Sequence, residues 1–516
     1  METITASDTI VEVLKRCPTA RQIFDRHGLK GCGGEHGVTE SLDFFARVHE
    51  ADLDSLLRDL NVELSNPSPE PYVFKESLAD YIYRRFFKAG IAVVLSVGAL
   101  WGAVNLLQIA LAHRLLQPDL VNAIHAHAHA MIFGWVGLFV MGFAYQSFPR
   151  FKYTMLWRPD LANLTLFLML GGILVQVAAE MVTPVNLRPS LGALAATAEF
   201  LAIALFLLII VQTARQSMEP RSAYEPFIFT ALGWFLAQAV SSDAFFFLKV
   251  TAADDVERIR RIALFDGPLR DIQLFGFAAL IIAGVSQRFV PQVYGLGRPG
   301  RQHSHLILAL MNGSLVLDVV SYVGLVSTGN LLFAAALELA YLGMVLWSVL
   351  LVMDLGIFSA SSSPDRSLKF VRAAYVWLLG AMAMMPLFPA YSLWTNQVFA
   401  HAYWGAHRHA FTVGFVSLMI VGVSSRVVPI LAGLDPSRIS RLWGPFLMLN
   451  VGCAGRVVLQ ILTDFAPKVA YALIGFTGFI ELGALAWWGI ELWAAMNLAK
   501  QRKLPPIGIR MPLPAR

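Results

Sequence analysis

The chain is poor in charge. Of its 516 residues only 15% are Asp, Glu, Lys or Arg, against about 25% in ordinary soluble domains. The roughly three soluble domains that the length alone suggests are therefore excluded. Cysteine is scarce as well: Cys17, Cys32 and Cys453 lie far apart and make no CxxC, no CxxCH haem-c site and no disulfide framework. The first 70 residues are polar and charged, so no cleavable signal peptide is expected. The net charge of +5 comes without a basic stripe interleaved with aromatics, which argues against a nucleic-acid partner. What the chain has in abundance is apolar residues, 57% of the total, with a mean hydropathy of +0.60. They recur in runs long enough to cross a bilayer, about 20 residues each. The sequence reads as an all-α polytopic membrane protein with the lipid bilayer as its first partner.

Two unequal parts are expected. Residues 1–66 form a small soluble helical domain, with apolar residues at Ile10, Val13, Leu14, Ile23 and Phe24, a break at Pro18, and Ser7 or Asp8 as the N-cap. A Gly-rich turn at Gly31-Cys32-Gly33-Gly34 and two further short amphipathic helices follow. Residues 67–88 are a linker and lead-in, 89–497 the membrane domain, and 498–516 a tail. Twelve apolar segments are counted in the membrane domain: 89–112, 125–148, 161–183, 190–213, 225–248, 271–292, 304–326, 329–353, 370–395, 407–430, 441–462 and 469–497. Lys and Arg concentrate in alternate loops, and a mixed-charge loop is expected at 249–271. By the positive-inside rule both termini are cytoplasmic.

The membrane domain repeats itself. "GFAALIIAGVSQRFVP" (276–291) and "GFVSLMIVGVSSRVVP" (414–429) agree at ten of sixteen positions, and "GWVGLFVMGFAYQSFP" (134–149) keeps both glycines, a leucine and the proline. These lie on segments 2, 6 and 10, so the expected plan is three pseudo-repeated four-helix arcs. Transporters more often show two halves or inverted repeats.

Histidine is confined to a few places. Segment 2 opens with His125, His127 and His129, and segment 10 with His407 and His409. Registered on the repeat glycines, His129 matches His409, His127 matches His407, and the second copy carries Asp271. Neutral imidazole ligates haem iron, copper and zinc. Residues i and i+2 of a helix point about 200° apart, so an H-x-H pair serves two cofactors on opposite flanks. A haem between segments 2 and 10 would take His129 and His409 most simply, leaving His407 for a second compartment and a second haem. For any one of these histidines the plain alternative is a water-satisfied interfacial side chain. His303 and His305, at the other end of the membrane, read as interfacial. Arg456, level with the clusters, is a candidate partner for a haem propionate. Glu180, Glu199, Asp243, Asp318, Glu338 and Glu481 stand open between helix–helix hydrogen bonds and a proton path. Trp135, Tyr403 and Trp404 fit an aromatic belt or a haem pocket equally.

H-x-H on segment 10, histidine on segment 2 and three arcs together resemble subunit I of the haem-copper oxidase superfamily. That resemblance implies His407 on an active-site haem and His409 on a low-spin haem, opposite a segment 2 histidine. Segment 6 offers Asp271 and Gln273 and no histidine, so the third metal of an oxidase lacks ligands there. The closer resemblance is to NnrS-type proteins, membrane haem proteins of the nitric oxide response, over most of 80–500. It implies one or two haem b groups, with copper as a further candidate, a bacterial inner membrane, and nitric oxide and quinol as small-molecule partners. Metal ligation would fall to His129, His407 and His409. Two rivals stand beside it: a quinol-dependent nitric oxide reductase or oxidase, and a metal transporter. "CPTARQIFDRHGLKGCGGEHGVTESL" resembles the N-terminal domain of ScdA-type di-iron repair proteins, with Gly31 where many members carry a second cysteine. There His27, Cys32, His36 and His49 stand as a candidate metal site, Cys32 as a reactive thiol, and the whole unit as a docking module.

Overall fold

The computed structural model describes residues 3–27, 41–48, 51–67, 78–113, 120–152, 154–182, 185–217, 220–297, 300–361, 365–397, 399–432, 434 and 439–498. The small domain has four helices, α1 (Ile10–Arg16), α2 (Arg21–Arg26), α3 (Leu42–Val48) and α4 (Leu53–Ser65). The N-cap of α1 is Thr9 and not Ser7 or Asp8. Glu12 stands three residues on, so the two residues form a capping box: the Glu12 amide donates to the Thr9 hydroxyl at 3.2 Å, and the Glu12 carboxylate accepts the Thr9 amide at 2.9 Å. Asp8 instead pairs with Arg16 at 2.9 Å. Val13, Phe24, Phe45, Leu56 and Leu60 close a core of their own.

Among the described residues twelve helices are long and apolar enough to cross a membrane, and the chain is a multi-pass membrane protein. They are α5 (Leu78–Ala112), α6 (Val121–Phe151), α7 (Pro159–Met181), α8 (Val185–Arg215), α9 (Glu225–Val250), α10 (Asp255–Tyr294), α11 (Arg301–Thr328), α12 (Leu331–Asp354), α13 (Leu368–Thr395), α14 (His401–Leu431), α15 (Trp443–Leu462) and α16 (Pro467–Leu498). The mixed-charge stretch at 249–271 is not a loop. From Asp255 it belongs to α10, started by Asp254, whose carboxylate accepts the Glu257 amide. A hydropathy window finds the apolar run, whereas a helix continues as far as caps and ion pairs support it. For the same reason α5 starts at Leu78 and not near 89, on an amphipathic turn that buries Ile82, Tyr83 and Phe86.

The three repeat helices form the inside. In α6, α10 and α14, 72%, 89% and 78% of the apolar window is buried, against 33–50% in the other nine. Those nine present Phe167, Phe200, Val240, Leu342 and Phe476, among others, outward to lipid. The last helix packs on the first, α16 against α5, closing the ring.

The repeated glycines have a packing cause. A Cβ on Gly142, Gly284 or Gly422 would stand 2.6, 2.8 or 2.7 Å from the Cβ of Phe86, Phe227 or Phe370. Each glycine thus seats the first helix of its own arc at backbone distance. The preceding glycines do likewise, Gly276 against Trp234 and Gly414 against Trp377. Those tryptophans donate to Asn312 and Asn450, the third helix of each arc, at 2.8 and 3.0 Å. All three inner helices also widen into a π-helical turn at the same register, Ala130–Gly137, Ile272–Ala279 and Ala410–Ser417. Such turns are rare and gather at functional sites.

Candidate functional site

The π turns begin on the residue after His129, Asp271 and His409, so the histidine clusters sit where the inner helices change pitch. Alternate residues there face opposite flanks, and the five histidines divide among three surroundings.

One is a cavity of about 370 Å³ between α5, α6, α10, α14, α15 and α16, within the range of small-molecule sites. His127 of α6 and His409 of α14 both line it. The Nδ1 of His127 donates to the Gly98 carbonyl at 2.9 Å, and that of His409 to the Gly405 carbonyl at 2.9 Å. A carbonyl only accepts, so Nδ1 carries the proton and Nε2 the lone pair in both rings. Neither Nε2 has a hydrogen-bond partner among the described residues. Gly98 closes a π turn of α5, Val94–Gly98, and a Cβ on Gly102, one turn along, would overlap the His127 ring.

Apolar residues, among them Leu106, Met131, Leu274, Val413 and Leu485, form most of the wall. Polar side chains interrupt it, among them His401, Gln273 and Gln460 beside charged groups that frame the space. Arg456 is buried, with Nε and Nη1 unpartnered, and Glu481 with its Oε1 unpartnered lies on the same wall. Near the histidine end stand Arg270 and Arg408, both held by Asp266, at 3.2 and 3.3 Å.

His125 also lines the cavity while reaching Lys249 of α9, whereas His129 faces the other way, towards α7–α9. His129 Nε2 donates to Glu199 Oε1 at 2.8 Å, its ring stacked on Phe133 at 4.3 Å. It does not line the cavity: the expected neighbour of His409 across one space, His129, lies elsewhere, and His127 shares the lining with His409. The cause is the helical turn of about 100° per residue. Equal register in two repeats places two residues on equivalent flanks, whereas facing each other across one cavity demands opposite flanks. His125 accepts from Lys249 Nζ at 2.8 Å, and Lys249 also donates to Glu180 at 2.7 Å. His125 Nε2 lies 3.6 Å from Asp266. A charge network therefore runs from buried Glu180 and Lys249 through His125 and Asp266 to Arg270 and Arg408. Glu180 and Glu199 are occupied in helix–helix contacts.

His407 points to the third side, among Trp404 and Phe275 at ring distances of 5.5 and 6.3 Å, fully buried with both nitrogens unpartnered. Asp271, the second repeat's residue at the histidine register, faces Asp318 of α11. Trp135 belongs to no interfacial belt: it is buried inside the bundle and donates to Ser417 at 3.1 Å. His303 is exposed and pairs with Asp354 at 3.1 Å. Among the described residues no three His, Cys, Asp or Glu side chains converge as a metal-ion site. In the small domain His27 pairs with Asp59 at 3.1 Å, while Cys32, His36 and His49 lie outside the described residues.

Asp266, Arg270, Arg408, Lys249, Gly98 and Gly102 were not legible as site residues. Two signals existed: Asp266 and Arg270 are i,i+4 in a stretch too charged for a membrane helix surface, and Arg408 interrupts H-x-H.

Compared with known protein families, residues 77–499 match the family model described as NnrS protein. No curated protein matches the chain.

Proposed function

Because the chain belongs to the NnrS family over residues 77–499, we propose that it is a haem-binding membrane protein that handles nitric oxide or protects against it. Haem b would be held in the cavity between α6 and α14, by His127 and His409. The observation that carries this reading is the pair of rings across one cavity, each fixed by an Nδ1–H bond to a carbonyl, each with Nε2 unpartnered. Anchoring of the distal ring nitrogen sets tautomer and orientation in metal-ligating histidines. The donor set suits the group in charge as well. Lys249, Arg270 and Arg408 bring three cations to the histidine end beside Glu180 and Asp266, a setting that suits a propionate. Arg456 offers a second guanidinium with two unpartnered nitrogens. When bound, haem supplies an iron that takes up or releases one electron; the protein's own part is to fix both imidazoles, neutralise the carboxylates and keep water from the apolar wall.

The test is optical. Full-length protein expressed with ample haem should show a Soret band that is lost or shifted in His127→Ala and in His409→Ala and retained in His129→Ala. A colourless wild type ends the proposal, and dependence on His129 with indifference to His127 ends the ligand assignment. The isolated, unpartnered His407 favours a second haem on the α10–α12 side. A haem-to-protein ratio near two, halved in His407→Ala, supports it; a ratio of one does not. The reductase reading additionally requires a non-haem metal, so stoichiometric copper or iron with quinol turnover would favour it. An inner-membrane location with both termini cytoplasmic is part of the proposal; the Lys and Arg distribution supports the orientation, and reporter fusions check it.

A further inference from the structure

Away from the histidines, between the second halves of the three inner helices, lies a cavity of about 100 Å³. Its wall takes the same repeat positions from each copy: Phe139, Ile281 and Met419; Val140, Ile282 and Ile420; Phe143, Val285 and Val423; Ala144, Ser286 and Ser424. The void has a local origin. Where the first copy fills a layer with Phe143, the other two supply valine, and the layer below is Ala, Ser and Ser.

Interiors are otherwise close-packed, and this volume is several times what one water needs. Water is nevertheless a poor occupant. Ser286 and Ser424 are the only polar side chains on the wall, and the Ser424 hydroxyl is bonded back to the Ile420 carbonyl. A buried water requires two to four polar partners, and apolar cavities of this size stay dry and take up apolar guests such as xenon. An ion or a polar solute would be desolvated here with nothing in return.

We propose that this cavity is a binding site for small uncharged apolar gas molecules, the class that includes nitric oxide and dioxygen. It rests on the functional reading above only for singling out nitric oxide; the site itself needs no haem.

Xenon is the probe. Crystals of the full-length protein under xenon pressure should show anomalous density between Phe143, Val285 and Val423. Val423→Phe, which gives the third copy the side chain of the first, should abolish it, and Val285→Leu, a gentler filling, should reduce it. Helix content and melting temperature are followed in both variants, and Val285→Leu decides if Val423→Phe does not fold. No xenon in the wild type overturns the proposal, as does undiminished xenon in folded variants, or an acyl chain found threaded through the space. A coloured protein without xenon sinks this site alone, and a colourless protein with xenon sinks the haem reading alone.

Discussion

At the residue scale, the proposed haem site depends on which nitrogen of which ring is left over. The five histidines of the two H-x-H clusters share one end of the membrane domain, yet their partners differ in kind. Two rest on carbonyls, one on a carboxylate, one on a lysine, and one on aromatic rings. Only the first kind leaves a lone pair directed into a polar-edged cavity. Gly102 belongs to the same arrangement, because any Cβ there would push the His127 ring out of place. Gly102→Ala is expected to lower haem affinity by about 10- to 100-fold, the usual cost of disturbing a ligand's support. Haem titration of the purified apoprotein measures it, and an unchanged affinity would remove Gly102 from the site. A carboxylate can replace neither guanidinium here, so Arg456→Glu should lose haem more readily than Arg456→Gln in the same titration.

At the element scale, small devices decide where helices start and how closely they approach. The Thr9–Glu12 capping box opens α1, and Thr9→Ala should cost the small domain about 1 kcal/mol. Hydrogen exchange over residues 10–16 in the full-length chain reads that cost. Acid should loosen the same region. The Thr5 amide and the Arg16 guanidinium hold the Asp8 carboxyl below its ordinary value, and hydrogen bonds from Thr9 do the same for Glu12. A carboxylate depressed in the folded state contributes stability above its unfolded pKa and loses it as pH falls through its folded one. Exchange at α1, corrected for the intrinsic rate, should therefore accelerate below about pH 4. In the membrane domain the approach of α9 to α10 and of α13 to α14 depends on a missing Cβ. Gly284→Ala and Gly422→Ala should each destabilise by about 1–3 kcal/mol through overpacking, seen as a lower melting temperature in detergent. Gly171 has open space beside it, so Gly171→Ala serves as a control with little effect.

At the scale of the whole molecule, the ring is tied together across its arcs by buried charge. Glu180, Lys249, His125, Asp266, Arg270 and Arg408 come from five helices, and Lys249 and Glu180 are both buried. Removing one partner of such a pair strands the other, at a cost of about 3–5 kcal/mol. Lys249→Met should therefore melt well below wild type, while Lys249→Met combined with Glu180→Gln should recover part of the loss. A double variant no better than the single would mean that the lysine acts through His125 and not through Glu180. Because the Lys249–Glu180 pair is shielded from solvent, added salt should change these differences little.

How much of this was legible from composition and pattern differs by kind of information. A membrane-spanning helix must satisfy its own backbone, so apolar length alone yields twelve helices. The triplication was legible because three glycine-based contacts demand the same residues at the same spacing. The histidine ends of segments 2 and 10 were marked by the rarity of polar side chains around them. The ligand pairing was not legible. Register aligns His129 with His409, but the choice of partner depends on which flank each helix turns towards its neighbours, and that is set by packing. Nor did hydropathy find the start of α10, since Asp266 and Arg270 are tolerable only once Arg408 and His125 come alongside. The sequence by itself determined the helices, their number and their threefold order, because these follow from local hydrophobicity and from spacing along one chain. Only the tertiary structure decided which histidines face one cavity and which charges neutralise one another across helices, because both depend on the rotation of helices far apart along the chain.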